Sequence, residues 1–270
     1  VSRVDVEGVG IEYQVTGEGR PVVLLHGFPD SGRLWRHQVP ALAAAGFQVI
    51  VPDLRGYGRS GKPDGAGAYS MRLLAGDVQA VLADQQISRA HVVGHDWGAA
   101  LAWVLALFAP DHVDHLAVLS VGHPATFLGT LEQRQMSWYM LLFQFPGVAE
   151  RWLTDGNWAN FRSWARHPDA DQVIADLEAT GSLTPGLNWY RANMPPEAWA
   201  GAPPQLPPVQ APTMGLWSTG DMALSETQMT DSAEGIAGPW RYERLEGPGH
   251  WMQLEAPDQV NQLLLDFLPR

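Results

Sequence analysis

Three side chains stand out for chemistry they could share: Asp96, Asp221 and His250. Asp96 is the centre of Gly94-His95-Asp96-Trp97-Gly98, which follows a short apolar run (residues 90–93) and opens a helix-like stretch (99–108). Gly-x-nucleophile-x-Gly between a strand and a helix is a nucleophile elbow, a tight turn that pushes one side chain into a pocket. Here the nucleophile position holds Asp in place of Ser or Cys. A carboxylate is already ionised at neutral pH, so no base is needed to activate it. It attacks saturated, electrophilic carbon and leaves an ester on the protein. The elbow therefore points to opening epoxides or displacing halide, and away from direct acyl transfer.

The order of the other two fits a hydrolytic cycle. Hydrolases built on this elbow run nucleophile, acid, His along the chain. Asp221 ends Ser218-Thr219-Gly220-Asp221, just after an apolar run (213–217). His250 sits in Gly247-Pro248-Gly249-His250-Trp251, before a last helical pattern. Glu226 and Asp231 are weaker alternatives for the acid, and Asp221 could also cap a helix. A loop histidine is the plain alternative for His250.

Strands alternating with helices must position these groups. Residues 4–9 and 11–16 read as a hairpin pair around Gly8-Val9-Gly10, and 21–26 as a buried strand. Residues 34–45 have helical spacing and end at Gly46; 47–52 is the next strand and 71–85 an amphipathic helix. Then come a strand at 90–93, a helix at 97–108 and a strand at 116–121. This alternation implies a parallel sheet covered on both faces. From Pro124 to Pro208 the pattern turns helical and Trp-rich, and it closes on Ala202-Pro203-Pro204-Gln205-Leu206-Pro207-Pro208. Such a run cannot continue a helix and suits a stiff connection. Strand patterns resume at 213–217 and 241–245, with a final helix at 257–267. The expected organisation is an α/β core of residues 1–123 and 209–270 with an inserted helical cap at 124–208.

Composition narrows the partners. The chain has 270 residues, 46% of them hydrophobic, enough for a sizeable core. It has no Cys, so disulfides, thiolate metal sites and a Cys nucleophile are excluded together. A net charge of −12 with no basic run makes nucleic acid and anionic membranes poor partners. Small neutral substrates remain. No apolar run approaches the roughly 18 residues of a spanning helix, and no secretory h-region opens the chain, so a cytoplasmic location is expected.

With these residues in view, the chain resembles the α/β-hydrolase superfamily and, within it, the epoxide hydrolases, over nearly its whole length. The resemblance implies the α/β-hydrolase fold: a mostly parallel central sheet flanked by helices, with the cap inserted. His26-Gly27-Phe28-Pro29 looks like the family's HGxP oxyanion loop, which often carries a cis peptide before its Pro. The resemblance assigns the backbone N–H groups of Phe28 and Trp97 to the oxyanion formed when water attacks the ester. Epoxide hydrolases similar to this chain use two cap tyrosines to protonate the opening ring. The stretch from Trp138 to Gly147 looks like the family segment carrying the first, and Leu187-Asn188-Trp189-Tyr190-Arg191 like that carrying the second. The roles map onto Tyr139 and Tyr190; the alternative is that each merely packs in an aromatic cap. Trp97, Trp138, Phe143, Trp189 and Trp251 are candidates to line a pocket for a small apolar epoxide. No cofactor or metal is implied, and a monomer or homodimer is expected.

Rival readings remain. A haloalkane dehalogenase would use the same triad, but that family commonly places Asn at the position of Phe28 or a dedicated Trp in the cap. A non-catalytic ligand-binding scaffold is the second rival. Gly56-Tyr57-Gly58-Arg59-Ser60-Gly61 matches a dinucleotide fingerprint, yet Lys62-Pro63-Asp64-Gly65 continues a loop where a helix should open. His112-Val113-Asp114-His115 could suggest metal, but two ligands and no third cluster read as a solvated turn after Pro110. His95 could tune Asp96 or simply pack.

Overall fold

The computed structural model describes the whole chain, Val1–Arg270. Eight strands form one sheet: β1 (Ser2–Val6), β2 (Val9–Thr16), β3 (Arg20–Leu25), β4 (Phe47–Pro52), β5 (Ala90–His95), β6 (Val113–Leu119), β7 (Thr213–Gly220) and β8 (Trp240–Gly249). Their order is β1-β2-β4-β3-β5-β6-β7-β8. The pairs from β4 to β8 are parallel, and β2 runs antiparallel to both β1 and β4. The central strands are mostly apolar, as both faces of a covered sheet require, with Arg20 at the start of β3, Gln48 in β4 and His91 and His95 in β5 as the polar exceptions. The helices that join or flank the strands are α1 (Gln38–Ala44), α2 (Met71–Asp84) and α3 (Trp97–Phe108).

Between β6 and β7 the chain leaves the sheet. It forms α4 (Leu131–Met136), α5 (Trp138–Phe143), α6 (Val148–Ala165), α7 (Ala170–Thr180) and α8 (Leu183–Asn193), then a 3₁₀ turn at Pro196–Trp199 and an irregular proline-rich return. Helix α6 is broken at Asp155–Trp158, where Gly156, Asn157 and Trp158 all have positive φ. The C-terminal part adds α9 (Glu226–Thr230), α10 (Met252–Glu255) and α11 (Pro257–Phe267). No helix is long and apolar enough to cross a membrane.

The sheet, α3 and α11 lie where the sequence puts them, and three local expectations are corrected. The hairpin turn is Glu7-Gly8, both with positive φ, so Val9 pairs with Val6 instead of sitting in the turn. The single helix expected at 34–45 is a 3₁₀ turn at Gly32–Trp35 followed by α1. Pro40 explains the break: lacking an N–H, it is tolerated only in a helix's first turn, so α1 must begin just before it. Third, Asp114 and His115 are not in a solvated turn. The 3₁₀ turn ends at His112, and Val113 is buried at the start of β6. Three polar residues in four hide a strand whose apolar half begins only at Leu116.

Candidate active site

In a parallel sheet all strands end on one side, and loops there converge. β3 leads into the loop carrying Phe28, β5 into Asp96, β7 into Asp221 and β8 into His250. Asp96 sits at φ 53°, ψ −124°, where a non-glycine residue costs about 1–3 kcal/mol. Close packing imposes that geometry. A Cβ on Gly94 would lie 2.3 Å from the Gly98 carbonyl oxygen, and one on Gly98 would lie 2.1 Å from that of Leu25. Strand and helix thus meet at contact distances only glycine permits, and the turn between them ejects the Asp96 side chain.

The structure brings Asp96, Asp221 and His250 together. His250 Nδ1 is 2.9 Å from Asp221 Oδ2, and its Nε2 is 3.7 Å from Asp96 Oδ2. Asp221 Oδ1 accepts from the N–H groups of Ala223 and Leu224 at 2.9 and 3.0 Å, so it caps a turn while it orients His250. Helix α9 is a separate element that starts five residues on. The alternative acid Glu226 is turned to Tyr242 and Arg244, and Asp231 is exposed. All three central side chains are buried. Burial works against an imidazolium, but the Asp221 carboxylate overrides it, with Asp96 adding, and pushes His250 up to about 10. Burial likewise opposes the Asp221 charge, yet His250 and the two N–H donors hold its carboxyl below the usual carboxylate range.

The Phe28 N–H donates to Asp96 Oδ1 at 2.8 Å, and the Phe28–Pro29 bond is cis, as the resemblance implies. One carboxylate oxygen is therefore tied to the backbone while the other faces His250. His95, just before Asp96, uses Nε2 to donate to the His250 carbonyl at 2.9 Å, with the two rings 4.6 Å apart. Burial and the neighbouring His250 charge bring it down to about 4, so it is neutral and braces the His250 backbone.

A cavity of about 330 Å³ is lined by Asp96, Trp97 and Tyr139 together with apolar residues of α3, α5 and the 201–204 segment. Asp96 and Arg134 are the charged residues in its wall. Tyr190 is buried just behind, its ring edge-on to Trp97 at 4.9 Å and to Phe28 at 5.7 Å, and 6.1 Å from Tyr139. Burial, with the Asp96 charge adding, raises both phenols well above their ordinary value and keeps them protonated.

Of the five candidate lining aromatics, Trp97 is in the cavity wall and four are not. Trp138 is 47% exposed and packs outward on Trp152. Phe143 is wedged between Tyr139, Tyr190 and Trp164, where it props both tyrosines. Trp189 donates to the Arg55 carbonyl and so ties α8 to the loop after β4. Trp251 donates to Asp30, one residue beyond the His26–Pro29 loop, at 2.9 Å. Asp30 also meets His167, beyond the end of α6, at 3.2 Å. Sequence reading misses this buried Asp30–His167 link, and no spacing rule joins residues 137 positions apart.

The chain is similar to known proteins over nearly its whole length. The family described as alpha/beta hydrolase fold matches residues 20–257. Epoxide hydrolase A of Mycobacterium tuberculosis is 34% identical over 98% of this chain and 96% of its own. Epoxide hydrolase of Caballeronia sordidicola is 32% identical over 99% and 94%. Among solved structures, epoxide hydrolase A from Mycobacterium thermoresistibile superposes with a TM-score of 0.80 at 32% identity, covering 99% of this chain and 97% of that one. The Bacillus megaterium epoxide hydrolase bound to an inhibitor gives 0.90 at 27% identity, covering 100% of both.

Proposed function

The chain belongs to the α/β-hydrolase fold family, and on that premise we propose that it hydrolyses epoxides to vicinal diols through a covalent ester on Asp96. Epoxide hydrolysis is the activity named for the relatives at 34% and 32% identity. The observation that carries the ester route is the Asp96 carboxylate itself: one oxygen is held by the Phe28 N–H, the other faces His250, and Tyr139 lines the same cavity. In this reading residues 124–208 form a cap over a core of 1–123 and 209–270, and the cap supplies the acids.

In the first half-reaction Asp96 Oδ2 attacks a ring carbon and the C–O bond on its far side breaks. Tyr139 and Tyr190 donate to the departing oxygen, which leaves as a hydroxyl. A phenol held far above its ordinary pKa is always protonated when the epoxide arrives. In the free protein His250 is an imidazolium between two carboxylates and cannot act as a base. Ester formation removes the Asp96 charge, so one of its two stabilising partners disappears and its affinity for the proton falls. That proton replaces the one the tyrosines give up. Neutral His250, steered by Asp221, then takes a proton from water, and the water attacks the ester carbonyl. Charge on Oδ1 develops against the N–H of Phe28, which already holds that atom, with the N–H of Trp97 as second donor. The ester C–O bond breaks, the remaining proton of the attacking water passes to the departing alkoxide, and the diol leaves Asp96 as a carboxylate facing an imidazolium again. The cavity wall suits a small apolar epoxide. Halide release would need paired indole donors: Trp97 is the one indole in the cavity wall, and those of Trp189 and Trp251 are committed to Arg55 and Asp30.

A single turnover in H₂¹⁸O with styrene oxide tests the route. The diol should emerge unlabelled and the peptide containing Asp96 should gain one heavy oxygen by mass spectrometry. Label in the first-turnover diol would mean direct attack by water and would overturn the ester.

A further inference from the structure

At the opposite end of β5 from Asp96, the pairing with β6 slips. Between the ordinary pairs Ala90↔Val113 and Val92↔Leu116, His91 alone faces two residues, Asp114 and His115. An extra residue of this kind is a β-bulge, which locally re-aims side chains. Sequence neighbours on a strand normally point to opposite faces. Here both turn toward His91: Nδ1 of His91 is 3.4 Å and Nδ1 of His115 is 3.7 Å from Asp114 Oδ2. The three donor atoms all lie within 4.8 Å of one another. The third ligand that the sequence around His112–His115 lacked thus comes from the neighbouring strand.

The tautomer of His91 is fixed. This side chain is fully buried, and its Nε2 meets the Pro269 carbonyl oxygen at 2.9 Å. A carbonyl only accepts, so Nε2 carries a proton, and in the neutral ring the lone pair of Nδ1 points inward. Neither that Nδ1 nor Nδ1 of His115 has a hydrogen-bond partner. A lone pair aimed at a carboxylate oxygen is unfavourable unless a cation lies between them. Arg20 pairs with Asp114, and Arg89 stands at 3.8 Å, but the two imidazole nitrogens stay unpartnered.

We propose that His91, Asp114 and His115 form a zinc site separate from the hydrolytic centre. Two imidazole nitrogens and a carboxylate oxygen are a donor set zinc takes readily, with water in the fourth position. Zinc–donor bonds of about 2.1 Å at tetrahedral angles place donor atoms about 3.4 Å apart. The two spacings to Asp114 Oδ2 already match this within a few tenths of an ångström. The Pro269 carbonyl behind His91 is the outer partner that orients a zinc-bound imidazole. Arg20, with its side chain 41% exposed, can swing into solvent as the metal arrives. His91 precedes Asp96 by five residues of extended chain, about 16 Å, so a metal here would pin the C-terminus to the sheet without touching the reaction.

The test is calorimetric titration of the chelator-stripped full chain with zinc chloride, beside Asp114→Asn, His115→Ala and Arg20→Gln. The wild type should bind one zinc with a micromolar or tighter Kd. Asp114→Asn and His115→Ala should each weaken it at least tenfold. Arg20→Gln should tighten it severalfold, because a competing cation is gone. Cobalt should give a four-coordinate visible spectrum in the wild type that His115→Ala loses. His115 is partly exposed, so that variant keeps the test intact if Asp114→Asn misfolds. Equal zinc affinity in wild type and His115→Ala, or weaker binding by Arg20→Gln, would make the cluster an ion pair alone and overturn the site. Epoxide turnover should be the same in all four proteins, so the result is independent of the proposed hydrolysis.

Discussion

The two halves of the candidate active site are held by different physics. Asp96, Asp221 and His250 sit at strand ends; each is fixed by hydrogen bonds, and Asp96 also by backbone contacts that only glycine neighbours permit. Tyr139 and Tyr190 sit on helices of the 124–208 segment and are fixed by rings packed edge to face, with Phe143 between them and Trp164 behind. Hydrogen bonds at strand ends specify position to within a few tenths of an ångström, because distance and angle both matter. Aromatic packing tolerates more variation, and its cost of failure is mainly stability. The proposed mechanism thus builds nucleophilic and basic chemistry on the rigid half, and leaving-group chemistry on the adaptable one.

The contrast can be broken at several points. Asp96→Ala should show the largest loss, about 10⁴-fold or more in kcat, with circular dichroism unchanged. His250→Gln should lower steady-state turnover by about 10³-fold while leaving ring opening intact, so the ester accumulates and is seen by intact-protein mass spectrometry. Tyr139→Phe should slow the ester-forming step by about 10²-fold in stopped-flow measurements. Tyr190→Phe should cost less, because Tyr190 lies behind the cavity wall. Equal effects would mean that both phenols reach the ring alike. Phe143→Ala should spare the triad but lower unfolding stability by about 3–5 kcal/mol in urea titration.

A last test concerns pH. The folded-state pKa of His250, about 10, lies above its ordinary value. The charged trio therefore adds stability that is fully present below about pH 6.5 and is lost as pH rises toward 10. Urea midpoints of the wild type should decline across that window, and those of His250→Gln should decline less.

The same division decides what the sequence discloses. The elbow, the order of nucleophile, acid and His, and the sheet are local patterns, because glycines, apolar runs and turns act on their immediate neighbours. The tyrosines carry no such pattern, and only likeness to a family points to them. Trp138, Phe143, Trp189 and Trp251 look like pocket residues in a list of aromatics, but whether a ring lines a cavity or props its wall depends on tertiary packing. His91 is hidden for the same reason. It lies between Ala90 and Val92 in an apolar strand, and only the bulge in the next strand gives it companions.

The tether between the Phe28 N–H and one oxygen of Asp96 has a consequence for how the protein remembers its own history. On the proposed ester route, if Oδ1 never leaves that tether, the two carboxylate oxygens are not equivalent: one is spent and replaced in every cycle, and the other is permanent. Each product would then carry the water oxygen captured one turnover earlier. In H₂¹⁸O the diol would switch from carrying no label to carrying one heavy oxygen in every molecule between the first and second cycles. A carboxylate free to rotate would instead mix its oxygens and blur that switch over several cycles. The sharpness of the switch would time the release of a single hydrogen bond against the pace of catalysis.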